Sequence, residues 1–247
     1  MIKNAGIELD TRYHTIDQTP VRCLILLLTL FSIDLKPVFA LDLDVRSSSA
    51  NMLDFSFLVD FSTIELVEDT TAIETNINRA GVVVYDVPES GPHFGLALGY
   101  AFGDFNSNPL YQPISMDGWY IGILARGIVL ESGRFVAAFE GYFIYQDISG
   151  SNDVTNASLS WNEFSINATL KIALTKHLQL YAAPVYGGVA ATYRERGSSD
   201  ITVKMDNDVD VGYFAGLQYL LDARESVSLQ YQDAVFKGVT LNFRRIF

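Results

Sequence analysis

Apolar and polar residues alternate along most of the chain, from about residue 52 to the last residue. In 209–221 the odd positions carry Val, Tyr, Ala and Leu, whereas the even positions include Asp, Gly and Gln. The same period of two runs through 135–146 and 163–174. Successive side chains point to opposite faces of a strand, whereas a helix would scatter these two sets around its circumference. The pattern therefore predicts an all-β chain of amphipathic strands.

The predicted strands suit a membrane better than a soluble sheet. They run for about ten to fifteen residues, whereas soluble strands usually have five or six and membrane-spanning strands need roughly nine to eleven. In 93–103 one face carries only Gly and Ala after the first position, and the other carries Phe, Leu and Tyr. Small residues fit the inside of a narrow barrel and large apolar residues fit lipid. Because lipid cannot satisfy a sheet edge, such a sheet must close on itself.

Turn signals divide the chain into ten predicted strands, with eight kept as an alternative. Short turns alternate with longer polar loops at about 104–115, 149–157 and 195–208, and the longer loops are placed outside the cell. Pro184 indicates an edge strand or a bulge in the seventh strand. We therefore expect a closed, antiparallel, up-and-down transmembrane barrel with a lumen filled by side chains. The strands are predicted near 52–66, 73–87, 93–104, 116–130, 134–148, 158–174, 177–194, 209–221, 226–233 and 238–247.

Residues 1–40 have the pattern of a secretory signal peptide with a polar lead. Residues 23–33 form an apolar stretch that follows Arg22 and precedes Val38-Phe39-Ala40, a sequence that suits signal peptidase. The stretch is too short to span a bilayer. We expect cleavage after Ala40 and a barrel domain over 41–247. A later translation start, for example at Val21, would account for the long polar lead, and a buried helix at 23–33 is the alternative.

Composition narrows the classes of function. The net charge is −12, which disfavours nucleic-acid binding because the phosphate backbone requires a basic surface. The single cysteine, Cys23, lies in the segment that we expect to be removed, so we predict no disulfide and no thiolate metal site. No Cys/His cluster has metal-ligand spacing. We predict neither a metal nor a cofactor.

Charged residues on the inward faces are the candidate functional side chains. Uncompensated charge in a narrow lumen is costly, so these residues should pair or contact water. We expect a structural ion-pair network inside the barrel, and the alternatives are a thin polar pathway or gate, and catalysis. The predicted lumen network consists of Asp54, Asp60, Arg126, Glu140, Glu163, Lys171, Asp210 and Arg244.

The last ten residues carry a pattern of their own. Val239, Leu241, Phe243 and the terminal Phe247 share one face of the last strand. This face resembles the carboxyl-terminal assembly signal of bacterial outer-membrane proteins, although Arg245 departs from it. Together with the signal peptide, residues 41–247 resemble the small outer-membrane β-barrel families, OmpA-like and Opa-like proteins among them. The resemblance implies a Gram-negative outer membrane, contact with its lipid and lipopolysaccharide, and the barrel assembly machinery and periplasmic chaperones as partners during biogenesis.

The histidines do not favour an enzyme. His93 and His177 fall at predicted periplasmic turns, whereas omptin proteases need Asp and His groups at the outer rim. The His-x-Ser motif of lipid A deacylases is missing, since each of these histidines is followed by other residues. We expect a monomeric, non-enzymatic barrel with a structural or surface-interaction role. The alternatives are a narrow channel for small solutes and an enzyme acting on lipid A or peptides; general porins need roughly sixteen strands.

Overall fold

The computed structural model describes residues 52–68, 71–88, 91–105, 114–152, 155–197 and 200–247. Within these ranges, the side chains of residues 68, 71–73, 105 and 208–210 also lie outside the described part. The signal-peptide prediction for residues 1–40 therefore falls outside the described residues. Among the residues described, no helix is long and apolar enough to cross a bilayer.

Every regular element in the described ranges is a β-strand, as the alternation predicts. The ten strands found there are β1 (Met52–Glu68), β2 (Thr71–Val87), β3 (His93–Phe105), β4 (Ile114–Ser132), β5 (Phe135–Ser151), β6 (Asn156–Ala173), β7 (Leu178–Arg196), β8 (Ile201–Leu220), β9 (Glu225–Asp233) and β10 (Phe236–Ile246).

The strands form one closed barrel. Each strand pairs with its neighbours in the chain, and β10 pairs antiparallel with β1 from Asp54↔Ile246 to Ile64↔Phe236. Closure gives every strand two hydrogen-bonded neighbours, which is what a sheet in lipid requires. The predicted closed, antiparallel, up-and-down barrel is confirmed, with ten strands in the described ranges rather than the alternative eight.

Two of the predicted outer loops are largely strand, so those predictions are wrong. β7 runs to Arg196 and β8 begins at Ile201, with Glu195 paired to Ile201, so the predicted loop 195–208 shrinks to 197–200. β5 and β6 likewise extend to Ser151 and from Asn156. The alternation continues in these segments, since Met205 is buried and Lys204 is exposed. These segments looked like loops because their exposed positions carry polar residues.

Pro184 marks a local break in the ladder and not an edge strand. β6 and β7 pair at Asn167↔Val185 and again at Leu170↔Ala182, and no pairing joins them between these points. Proline has no N–H to donate to a neighbouring strand. β7 nevertheless pairs with β6 on one side and with β8 on the other, with a register shift between Gly187 and Val189 against β8.

The small face of β3 makes room for aromatic rings inside the barrel. A Cβ added at Gly99 would lie 2.4 Å from a ring carbon of Tyr120, and one at Gly95 would lie 2.6 Å from the ring of Tyr85. Such distances are too short for a side chain, so the glycines let both rings lie flat against the wall. The small residues that alternate along 93–103 therefore point inward, as the sequence predicts.

The outside of the barrel carries an apolar belt, here called the membrane band. On β3 it runs from Phe94 to Phe102, and on β6 it includes Phe164 and Ile166. Exposed aromatic residues, Trp119 among them, lie near its outer edge, where such side chains favour the membrane interface. The members that are large and exposed on the described strands include Phe57, Phe61, Val82, Leu96, Leu98, Tyr100, Ile121, Ile123, Phe139, Phe143, Tyr186, Val211, Tyr213, Leu217, Leu229, Tyr231, Val239, Leu241 and Phe243.

Beyond the membrane band the strands continue as an outer segment, in which the polarity of the two faces is inverted. On β1 the inward residues change from Asp54, Ser56 and Asp60 to Ile64 and Leu66, all of them buried. The outward residues of the same strand change in the opposite sense, from Phe57 and Phe61 to Thr63 and Glu65. An apolar interior with a polar exterior is the arrangement of a barrel in water, and the reverse is that of a barrel in lipid.

In the outer segment the barrel is closed by a different pair of strands, β1 and β8. β9 and β10 have 9 and 11 residues, fewer than the 20 of β8 and the 17 of β1, which flank this pair of strands. Above their turn β1 and β8 meet directly, through the pair Val67↔Asp206 and a hydrogen bond of 3.0 Å from the Asn207 side-chain amide to the Glu65 carbonyl oxygen. The outer segment is thus enclosed by β1 to β8, and fewer strands give a narrower ring.

Candidate functional site in the barrel lumen

An apolar plug fills the lumen of the outer segment. Trp161, Leu159 and Met116 are at most 1% exposed, although they point into the barrel and not into a layer beneath a sheet. Bulky side chains from strands on all sides meet there, and the narrowed ring lets them pack against one another. The plug comprises Ile64, Leu66, Ile77, Ala101, Ile114, Met116, Ile148, Ala157, Leu159, Trp161, Val189, Ala191, Tyr193, Met205, Val235 and Phe236.

A buried ion pair lies at the lower boundary of the plug. Arg79 Nη2 donates to Glu163 Oε2 at 2.8 Å, and both side chains are almost fully buried. The Arg79 guanidinium also lies over the rings of Phe236 at 4.6 Å and Trp161 at 5.9 Å. A guanidinium between a carboxylate and aromatic faces retains favourable contacts after losing water. This pair therefore joins the apolar plug to the polar lumen below it.

Arg79 was missed by the sequence reasoning, which found Glu163 without its partner. The alternation in β2 was the available signal, because Arg79 shares a face with the buried Ile77, Val83 and Tyr85. Only the closed barrel brings β2 and β6 to opposite sides of one lumen.

Asp60 is held by hydroxyl groups. Ser62 Oγ donates to Asp60 Oδ2 at 3.0 Å, and Thr240 Oγ1 donates to Asp60 Oδ1 at 2.9 Å. Arg79 lies opposite Asp60 in the β1–β2 register. Charge-assisted hydrogen bonds of this kind offset part of the cost of burying a carboxylate.

A second charged layer lies nearer the periplasmic end. The Asp54 side chain is 0% exposed and accepts hydrogen bonds from Arg244, with Nη2 at 2.7 Å and Nε at 2.8 Å from Oδ2. Arg126 pairs with the same carboxylate and lies 3.9 Å over the ring of Tyr85. One carboxylate therefore holds two guanidinium groups, and this triad keeps a formal charge of +1.

Between the triad and the plug lies a cavity of about 200 Å³. Glu140 and Lys171, two of the predicted lumen charges, line it. No ion pair joins either of them to another described side chain, and the Lys171 ammonium lies 5.9 Å from the ring of Tyr181. The lining residues are Ser56, Leu58, Val83, Tyr85, Leu124, Arg126, Glu140, Thr169, Lys171, Tyr181, Phe214, Gln218, Ser226, Ser228, Gln230, Thr240, Asn242 and Arg244.

The predicted charges thus lie at several levels of one lumen. Three of them form the triad, two face the cavity, Asp60 is bound by hydroxyl groups, and Glu163 pairs with the missed Arg79. The side chain of Asp210 lies outside the described residues. The alternative of a thin polar pathway stays a prediction: above the Arg79–Glu163 pair most inward side chains are apolar, and Thr75 and Gln146 are buried among them.

The last strand presents its apolar face to the outside. Val239, Leu241, Phe243 and Phe247 are all exposed there. The rings of Phe247 and Phe55 meet edge to face with centroids 5.5 Å apart. Arg245, which departs from the assembly-signal pattern, pairs with Glu225 at 2.8 Å. Both described histidines lie at the periplasmic end: His93 begins β3, and His177 lies in the turn between β6 and β7.

Comparisons with known proteins find likeness of structure and none of sequence. No protein-family model matches the chain, and no curated protein matches it significantly. Ail, the attachment invasion locus protein of Yersinia pestis, is similar at 10% identity and a TM-score of 0.38, covering 81% of this chain and 100% of its own. The translocator domain of the autotransporter NalP from Neisseria meningitidis has 11% identity and a TM-score of 0.46, with 94% and 97% covered. The outer membrane protease OmpT of Escherichia coli has 10% identity and a TM-score of 0.40, with 83% and 97% covered.

The barrel's own exterior decides what kind of protein this is. The membrane band encircles a closed sheet whose lower interior is charged, and no soluble fold leaves so many large apolar side chains in water. The chain is a transmembrane β-barrel of the outer-membrane type. Such barrels lie in the outer membrane of bacteria, with short turns on the periplasmic side. The turns after β2, β4, β6 and β8 lie close to the membrane band, whereas at the other end the strands continue beyond it as the outer segment, so the end with these turns and the last residue of β10 faces the periplasm.

Proposed function

We propose that this protein is a closed, non-conducting outer-membrane barrel that acts through its surface outside the cell. The plug carries the proposal. Its side chains come from strands all around the outer segment and are almost completely buried, and such packing would close the lumen to water and ions. The ion pairs below the plug hold the walls together and do not line a through-going pore.

The outer segment supplies the surface for such a role. Strands β4 to β8 continue beyond the membrane band, and their outward side chains there are polar. Paired strands with an apolar core hold these side chains in fixed positions, as a loop of the same length would not. The outward polar residues are Ser115, Asp117, Ser149, Ser151, Asn156, Ser158, Ser160, Asn162, Arg194, Arg196, Thr202, Lys204 and Asp206.

The proposal also implies which molecules contact the barrel in the outer membrane. The membrane band contacts lipid, and the base of the outer segment lies at the height of the lipopolysaccharide head groups. The exposed apolar face of β10 is the part that the barrel assembly machinery would bind during biogenesis. The protein acts as a monomer, since closure leaves no strand edge for a second copy.

Catalysis is not part of the proposal. A hydrolytic site facing the outside would need a general base near the outer rim. The two histidines in the described residues lie at the opposite end of the barrel, and His14 lies outside those residues. An enzyme of the omptin type, which needs a histidine at the outer rim, is therefore disfavoured relative to a surface role.

Planar-bilayer recordings test the closed state. We expect no unitary conductance steps from the purified barrel, and steps from the double variant Trp161→Ala, Phe236→Ala, because the two rings form the floor of the plug around Arg79. Phe164→Ala is the matched control, since Phe164 lies on the same strand but faces lipid, and it should stay silent. Regular steps from the unaltered protein would contradict the proposal and favour the channel.

A further inference from the structure

The cavity below the plug has two unlike walls. The wall formed by β4 to β6 carries Arg126, Glu140, Thr169 and Lys171. The opposite wall, formed by β8 to β10, is polar but mostly uncharged: Gln218, Ser226, Ser228, Gln230, Thr240 and Asn242. Arg244 closes this wall at the periplasmic side. A ligand that matches both walls has an ionic end and a hydroxylated end.

The charges around the cavity favour an anion. Arg126, Lys171 and Arg244 contribute three positive charges, and Glu140 and Asp54 contribute two negative ones. Asp54 already binds both arginines, whereas the Lys171 ammonium forms no direct ion pair with a described carboxylate and is acted on by Glu140 across the cavity. Ammonium groups held away from water are stabilised by direct contact with a carboxylate. A carboxylate bound at Lys171 would supply that contact and balance the net positive charge of the lining.

The neutral wall has hydrogen-bonding capacity to spare. Gln218 Nε2 donates to Ser226 Oγ at 2.8 Å, but the Asn242 Oδ1 atom is buried without a hydrogen-bond partner. Buried polar atoms normally find a partner, so a donor within the cavity, such as a hydroxyl group, would satisfy this atom. Hydroxyl groups are suited to such a wall, because each can both donate and accept.

We propose that the cavity is a binding site for a small hydroxylated carboxylate that enters from the periplasm. Its volume of about 200 Å³ is below the roughly 300 Å³ at which pockets for drug-sized molecules begin. The Arg244 side chain is 29% exposed, so the charged layer below the cavity reaches water. The plug closes the other side, which makes this a blind pocket and not a passage.

Calorimetric titration of the refolded barrel in detergent tests the site with three probes. Gluconate carries both the carboxylate and the hydroxyl groups, sorbitol only the hydroxyl groups, and acetate only the carboxylate. We expect saturable binding of gluconate, and binding at least about tenfold weaker for sorbitol and acetate, since each loses the contacts of one wall.

Two variants assign the binding to the cavity. Lys171→Met keeps the apolar stem beside Tyr181 and should weaken gluconate binding about tenfold or more, whereas Lys237→Met removes an exposed lysine of β10 and should change nothing. Gln230→Leu, on the neutral wall, should also weaken binding. Heat-modifiable migration on gels confirms that each variant is folded.

Three outcomes would overturn the inference. They are the absence of saturable gluconate binding, sorbitol binding as tight as that of gluconate, and gluconate binding that Lys171→Met leaves unchanged in a folded barrel. The blind end of the pocket rests on the closed plug of the proposed function, but the two tests fail separately. Conductance steps together with gluconate binding would overturn the closed barrel alone, and silent recordings without gluconate binding would overturn the binding site alone.

Discussion

Replacing Asp54 by asparagine should lower the free energy of unfolding by about 3 to 5 kcal/mol, the cost of removing one partner from a buried ionic group. The Asp54 side chain is fully buried and is bound by both Arg126 and Arg244. Asparagine keeps the shape but loses the charge, so two guanidinium groups would then face each other near Lys171 without a carboxylate between them. The effect arises from the charges left behind more than from the bonds lost.

Urea titration of the refolded barrel in lipid vesicles measures this change. Glu225→Gln is the matched control, because Glu225 pairs with Arg245 at a comparable distance of 2.8 Å, but with side chains that are 23% and 53% exposed. Exposed pairs contribute about 0 to 1 kcal/mol, so this variant should remain near the unaltered protein. An equal loss in the free energy of unfolding for the two variants would contradict this expectation. It would show that water surrounds the triad as it surrounds the exposed Glu225–Arg245 pair.

Replacing Leu98 by arginine should destabilise the barrel by about 2 to 4 kcal/mol in a bilayer, the cost of a charge on the lipid face near the midplane. Leu98 is exposed in the middle of the apolar run of β3. The same substitution at Ser115, on the neighbouring strand β4, should cost less than about 0.5 kcal/mol, because surface changes in water are nearly neutral. Ser115 pairs with Asp104 in the outer segment and faces outward like Leu98.

The comparison of these two variants in lipid vesicles separates the membrane band from the outer segment. Both positions point away from the lumen, so the side-chain direction is the same and only the surroundings differ. A cost at Ser115 as large as that at Leu98 would place lipid around the outer segment and contradict the boundary assigned to it.

The strands and their closure could be predicted because both follow from local chemistry. The alternation in 163–174 gives a strand and its two faces, and the Gly and Ala residues of 93–103 show which face of that segment points inward. Even the position of Asp54 on the inward face follows from its register with Ser56 and Asp60. The number of strands followed from the turns, since most of the turns between strands are short and rich in Gly, Asn, Asp or Ser.

The outer segment could not be predicted in the same way. Alternation shows that two faces differ, but it does not show which of them faces a core. In 201–206 the polar residues face outward, whereas in the membrane band the polar residues of each strand face inward. Because polar residues face inward in one part of a strand and outward in another, a run of exposed polar residues such as Lys204 is typical of a loop when the sequence is considered alone. The plug was missed for the same reason.

The partners of the lumen charges could not be predicted at all. Arg79 and Glu163 are 84 positions apart and meet across the lumen, on strands that are not neighbours. Their contact depends on the register of every strand pair between them. The alternation along a strand predicts that a charged residue faces inward. Its position along the barrel axis, and therefore its partner, depends on how the closed barrel aligns the strands.

The barrel leaves the membrane partway along its strands, and cysteine labelling along β6 tests this boundary most directly. The barrel domain contains no cysteine of its own, since Cys23 lies in residues 1–40. Whole cells are treated with a maleimide that cannot cross membranes. Each cell sample carries a variant with a single cysteine at one outward position of β6: Ser158, Ser160, Asn162, Phe164, Ile166 or Ala168. We expect labelling at Ser158, Ser160 and Asn162 and none from Phe164 onward. Protection at Ser158 and Ser160, or labelling that continues through Ile166, would contradict the account.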